Sequence, residues 1–176
     1  MKSLSTLFSV ILLLTTLLAA QTAGAIVSTQ SKQHFSVKIE TTIKAPVEEV
    51  YQQFLKVGGW WESSHTWFGD ASKMYIEPKA NGCFCEVNGD KEALHMTVST
   101  VIPNKNVQMV GGLGPLQSMG VYGHMSWSFK APTKGMTNLT MTYLVKGFVG
   151  EESEMMAKAV DGVLNTQITN LESKFK

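Results

Sequence analysis

Phe35-Ser-Val-Lys-Ile-Glu-Thr-Thr-Ile-Lys-Ala-Pro-Val-Glu-Glu-Val-Tyr-Gln-Gln-Phe-Leu55 is the stretch whose reading decides the fold. Through Ile43 it alternates: Phe35, Val37 and Ile39 fall on one side, Lys38 and Glu40 on the other. That period of two predicts a strand with one wet face. The period then changes. Val47, Val50, Tyr51, Phe54 and Leu55 recur at helical spacing and make one apolar stripe. Pro46 opens this helix at a position where its missing N–H costs nothing. Glu48 and Glu49 sit near the positive end of the helix dipole. Gly58-Gly59 ends it.

Four large aromatics follow at once in a loop, Trp60, Trp61, Trp67 and Phe68. They need burial, and capping one end of a sheet would supply it. From Ser72 to Phe148 the sequence reads as six strands: 73–77, 82–87, 93–102, 106–111, 120–130 and 137–148. Turn signals separate them at Pro78 to Gly82, Asn88-Gly89-Asp90, Pro103-Asn104, Pro115 and Pro132 to Gly135. Met125, Trp127 and Phe129 alternate with serines, and Leu139, Met141, Tyr143 and Val145 with small polar residues, which suits an antiparallel meander. A long helix is predicted over 152–174. Its stripe is Met156, Val160, Val163, Gln167, Leu171 and Phe175, thickened by Met155, Ala159, Leu164 and Ile168. Gly162 costs such a helix about 1 kcal/mol relative to Ala. Close approach of a sheet or a ligand would explain it.

The order strand, helix, many strands, long helix predicts an α+β fold. A curved antiparallel sheet would grip the terminal helix and leave between them a space for an apolar molecule. Ahead of this domain, residues 1–25 read as a cleaved signal peptide. Lys2 supplies the charged start, Leu7 to Ala20 the apolar run, and Ala23-Gly24-Ala25 the cleavage site. The run is short for a membrane span, so no stable membrane insertion is expected once the signal is removed. Residues 26–33 read as a flexible lead-in to a domain over 34–176. The expected destination is outside the cytoplasm, periplasmic or secreted.

Composition narrows the partners. All 15 basic residues are Lys, against 14 acidic ones. Without Arg or a basic block, nucleic acid is a poor partner. The two cysteines, Cys83 and Cys85, lie on one predicted strand. An ideal strand sets such a pair about 6.5–7 Å apart at Cα, the outer limit for a disulfide, so a bond needs a bend. Buried apolar packing is the default reading. Bonding and reactivity are the alternatives in an oxidising compartment.

Thr42-Ile-Lys-Ala-Pro-Val-Glu-Glu-Val-Tyr51 resembles the first strand and helix of the START-like helix-grip superfamily (SRPBCC). Gly59-Trp-Trp61 resembles the aromatic turn after that helix in polyketide-cyclase and chaperone-ATPase-activator homologues. Gly111-Gly-Leu-Gly-Pro-Leu-Gln117, His124-Met-Ser-Trp127 and Val160-Asp-Gly-Val-Leu164 are similar to segments of one bacterial branch of them. The resemblance implies a seven-stranded antiparallel sheet, two short helices after the first strand, and a cavity under the last helix. Superfamilies of this kind host carriers, cyclases, hydrolases and chaperone regulators, so the fold does not choose among them.

Trp60, Trp61, Trp67, Leu113, Tyr122, Tyr143, Met155, Met156 and Val163 are the candidate cavity lining. The ten Met residues of the chain suit a soft wall. His65, among the loop aromatics, is the candidate acid–base group, because burial can turn an imidazole into a general base. The plainer reading is a ring bonded to a loop carbonyl. His95 and His124 read as solvated strand residues, and Asp161 as a solvated helix residue. Cys83, Cys85, Glu86 and His95 could approach one another in a hairpin as metal ligands, but Cys-x-Cys on a strand is not the usual zinc spacing, and no metal is expected. Gly111-Gly-Leu-Gly114 lacks the following helix that a dinucleotide site needs. No cofactor is expected. The leading expectation is an exported carrier of a small hydrophobic ligand. The alternatives are a cyclase- or hydrolase-like enzyme using the same cavity, and a chaperone-regulator-like module that binds protein.

Overall fold

In a computed structural model of the chain, residues 24–149 and 151–176 are described. Eight strands form one antiparallel sheet: β1 (Gly24–Ser31), β2 (His34–Ile43), β3 (Met74–Ile76), β4 (Cys83–Asn88), β5 (Lys91–Ile102), β6 (Asn106–Val110), β7 (Tyr122–Lys130) and β8 (Thr137–Lys146). Their order across the sheet is β1-β2-β8-β7-β6-β5-β4-β3. Each neighbouring pair after β2 and β8 is consecutive in sequence, so β3 to β8 form a meander and β8 returns beside β2. The helices are α1 (Val47–Leu55) and α2 (Glu152–Ser173). Among the described residues no helix is long and apolar enough to cross a membrane.

The predicted strand–helix stretch forms as read. Phe35, Val37 and Ile39 are buried, and so are Val50, Tyr51 and Phe54 of α1. Pro46 sits one place earlier than expected, as the N-cap, and its carbonyl accepts from Val50 N–H at 3.1 Å. Tyr51 packs edge-on against Phe129, and Phe54 lies 5.0 Å from the Trp127 ring centroid. These contacts fix α1 on the apolar face of β7, where aromatic burial carries much of the packing energy.

Three expectations change. The segment 26–33 is not a lead-in: residues through Ser31 make β1, paired along β2, and this strand brings the sheet from seven to eight. The expected signal segment lies outside the described residues except for Gly24 and Ala25, which open β1. After α1 there is no second α-helix. Short 3-10 turns at Val57–Gly59, Ser63–His65 and Ala71–Lys73 carry the chain to β3 instead. With two glycines and a run of bulky aromatics, this segment follows tertiary packing, not a helical period.

The helix α2 packs against β1 and β2. Ser153, Ala157, Val160, Leu164, Gln167, Ile168 and Leu171 are its buried face. That stripe is rotated from the predicted one. Met155 is 65% exposed, and Met156 and Val163 are only half-buried, at the edge of the contact. Asp161, expected in solvent, has one carboxylate oxygen buried without a partner, and desolvation raises its pKa.

Bulges shape the far half of the sheet. Phe84 pairs with Met96 and Cys85 with Leu94, so His95 is an extra residue on β5. A second extra residue, Ser99, follows on the β6 side. A bulge bends the strand and shifts the side-chain alternation by one. Leu94 therefore faces out at 52% exposure, and His95 turns in beside Met96 at 3%. The bend also reaches the cysteines. Cys83 and Cys85 lie 5.4 Å apart at Cα and form a disulfide. They are half-buried and bonded, not the buried free thiols expected by default.

Candidate functional site

A cavity of about 260 Å³ lies between the middle of α2 and the 61–67 segment, closed at one end by the 113–115 loop. Trp61, Trp67, Leu113, Met156, Val160, Val163 and Leu164 make most of its wall, which is predominantly apolar. Its polar rings are His65 and His95. Trp67 is 49% exposed, so the wall it forms reaches solvent.

Five of the nine predicted lining residues are in this wall: Trp61, Trp67, Leu113, Met156 and Val163. The other four are elsewhere. Trp60 is core, packed on Phe54, Trp61 and Trp127, with its indole N–H donated to the Phe54 carbonyl. Tyr122 is 61% exposed and borders a shallow outer groove. Met155 points away from the buried face. Tyr143 is fully buried and works as a strut behind the wall. Its hydroxyl donates to Gly111 O at 3.0 Å and accepts from Leu113 N–H at 2.9 Å. Burial pushes its pKa up to about 12, opposed only in part by the Leu113 bond. The strut needs Gly123 opposite, where a Cβ would stand 2.5 Å from the Tyr143 hydroxyl oxygen and 2.6 Å from Gly111 O.

His65 is held by a side chain of α2. Glu62 N–H donates to Gln167 Oε1 at 2.7 Å, and Gln167 Nε2 stands 2.8 Å from His65 Nδ1. The Glu62 bond fixes the amide orientation, so Nε2 donates and His65 Nδ1 accepts. That tautomer carries its proton on Nε2. The ring is thus bonded to a buried amide of the helix rather than to a loop carbonyl; its own carbonyl accepts from Trp61 Nε1 at 3.0 Å.

In the second polar cluster, Glu86 and His95 do approach across the hairpin, but on the core side, away from the cysteines and bound to backbone groups that the sequence does not point to. Glu86 is fully buried, and its two carboxylate oxygens accept from Trp67 N–H and Phe68 N–H, both at 2.8 Å. His95 Nε2 lies 3.3 Å from Glu86 Oε2. Because that carboxylate already serves as acceptor to two backbone donors, the histidine nitrogen facing it carries the hydrogen. The His95 ring stacks on Phe84 at 5.1 Å. Its pKa is lowered by burial, against the opposing pull of Glu86. Only the bulge puts this ring in the interior. In a regular strand His95 would face out, as expected. His124 does stay on the polar face, half-buried, with Nε2 3.4 Å from Gln108 Oε1.

The same alternation divides the conceivable metal ligands. Glu86 points to the core side of β4, while Cys83 and Cys85 share the other side and are bonded to each other. Among the described residues no group of three or more His, Cys, Asp and Glu side chains converges. The cavity can therefore do two things chemically: enclose apolar surface, and offer imidazole nitrogens to a polar group carried on it.

No protein-family model matches the sequence. No curated protein matches it either. Solved structures do share the fold. Protein MLL2253 of Mesorhizobium loti is 16% identical with a TM-score of 0.56, over 78% of this chain and 94% of that one. A protein of Rhodobacter sphaeroides is 12% identical with a TM-score of 0.55, over 86% and 97%. DynU16, a protein of the dynemicin biosynthetic locus, is 17% identical with a TM-score of 0.51, over 78% of this chain and 46% of its own length. At such identities the likeness is one of fold: a large antiparallel sheet with a C-terminal helix across it, consistent with a helix-grip arrangement.

Proposed function

We propose that this chain is a START-like helix-grip protein that carries a small, largely apolar molecule outside the cytoplasm. The observation that supports it best is the apolar cavity under α2, about 260 Å³. An engineered apolar cavity of about 150 Å³ holds a benzene ring, so this one has room for a one- or two-ring compound. The wall is built for enclosure. Trp61 is locked by its N–H bond and by packing on Phe84, while Met156 is free to adapt. Export is supported by the charged start and apolar run of residues 1–20, and the Cys83–Cys85 disulfide suits an oxidising compartment. Cleavage after Ala25 would leave Ile26–Ser31 of β1 in the sheet.

Native mass spectrometry of the protein from the exported fraction tests this reading. A discrete added mass is expected, removed on denaturation. A bare mass, together with no change in Trp fluorescence across a panel of one- and two-ring apolar compounds, would reject it. A cyclase- or hydrolase-like activity in the same cavity is the second reading, favoured by the two histidines in an otherwise apolar wall. It requires conversion of the bound molecule, with loss of turnover but retained binding when His65 is replaced by Ala.

A further inference from the structure

We infer that the cavity selects ligands carrying a hydroxyl group, an alcohol or phenol on an apolar frame, and that His65 and His95 read that hydroxyl, one as donor and the other as acceptor. The inference rests on the carrier reading above and specifies what is carried. It follows from which nitrogen of each ring is already occupied.

His65 Nδ1 accepts from Gln167, so its ring hydrogen is on Nε2. His95 Nε2 donates to Glu86, so its lone pair is on Nδ1. Among the described residues neither remaining nitrogen has a hydrogen-bond partner, and both residues line the cavity. The lining residues thus include one with an unused donor, His65 Nε2–H, and one with an unused acceptor, His95 Nδ1. His95 is 3% exposed, yet its Nδ1 is not among the buried atoms that lack a partner, so water in the cavity can reach it when no ligand is bound. A ligand that fills the cavity displaces that water and buries the nitrogen, so a ligand that then satisfies it is favoured over one that leaves it unpaired. A hydroxyl matches this pair, because it donates one hydrogen bond and accepts another. A carbonyl or an ether oxygen only accepts and would leave His95 Nδ1 unpaired. A carboxylate accepts only, and would have to be desolvated in an apolar cavity.

Both tautomers are set from behind by groups that are themselves fixed. Gln167 and Glu86 are fully buried, and each holds backbone N–H groups of the 62–68 segment. The arrangement is preorganised, which is what selectivity between close analogues requires.

The test compares 2-naphthol with naphthalene and 2-methoxynaphthalene by titration of the whole protein. Naphthalene is smaller and the methyl ether larger, so a preference for the naphthol over both is not a matter of size. Binding of 2-naphthol about tenfold tighter than either is expected, the order of one satisfied buried hydrogen bond. His95→Phe should reduce the preference to near unity. Because that variant could fail to fold, nitrogen NMR of the native histidines provides a second readout: 2-naphthol should shift His95 Nδ1, and the methyl ether should not. Equal binding of the three rings with His95 Nδ1 unmoved would overturn hydroxyl selection and leave the carrier reading standing. Binding of none of them at any accessible concentration would overturn both.

Discussion

Glu86 and His95 meet across the β4–β5 hairpin at 3.3 Å, both buried, and the same carboxylate holds Trp67 and Phe68 through their backbone N–H groups. One buried acidic group thereby joins a strand to the loop that walls the cavity. Gln at this position offers one acceptor oxygen instead of two and cannot serve all three donors. Glu86→Gln should lower stability by about 1–3 kcal/mol, the cost of a buried donor left unpaired. Urea unfolding measures the loss, and hydrogen exchange should quicken first at Trp67 and Phe68. An unchanged midpoint with those amides still protected would show that the carboxylate does not hold the loop.

The imidazole of His95 gives stability a pH dependence. Burial lowers its pKa from 6.5, with Glu86 pulling the other way. Below 6.5 the unfolded chain therefore binds the proton more readily than the folded one, and stability falls as pH falls. The contribution is fully present above that pH. Thermal unfolding from pH 7.5 to 5 should show a downward slope that is shallower in His95→Phe. Parallel slopes in the two proteins would remove His95 as the cause.

Tyr143→Phe deletes one oxygen and leaves two buried backbone groups, Gly111 O and Leu113 N–H, without their partner. A loss of about 2 kcal/mol is expected. Alkaline pH should act on the same strut. Its pKa is raised to about 12, so the unfolded chain releases this proton first, and stability should fall as pH rises above 10. The variant should lack that part of the alkaline slope, which chemical denaturation at pH 9 and pH 11 would reveal.

Gly162 offers a gain. It was expected to make room for a neighbour, yet a Cβ placed there meets nothing within 4 Å. Gly162→Ala should therefore stabilise α2 by up to about 1 kcal/mol through helix propensity alone. A decrease in the unfolding midpoint would mean that something does pack against this turn of the helix.

Where the side-chain period was regular, the sequence was readable. β2, α1, β7 and β8 fall where alternation or helical spacing put them, because each buries one repeating face. The 26–33 segment reads as a lead-in because its polar, small residues carry no alternation. It is strand because β2 has a free edge to pair with and α2 a face to cover. Of the residues that the sequence offers as lining, Trp61, Trp67, Leu113, Met156 and Val163 stand in the cavity wall. Tyr143 reads from the sequence as lining and is a strut in the structure, since sequence does not show that a phenol faces two backbone groups.

The sequence by itself determined the periods: which segments are strands with one dry face, where the two helices run, and hence the class of fold. Tertiary structure alone decided the chemistry of the site. A single extra residue at His95 reverses which side of β5 faces the core, and no local pattern marks that residue as the one left unpaired. The hydrogen bonds that set the two histidine tautomers join residues 9 and 102 positions apart. Periodicity is a property of neighbours along the chain, whereas a buried polar group is satisfied by whichever partner folding brings within reach.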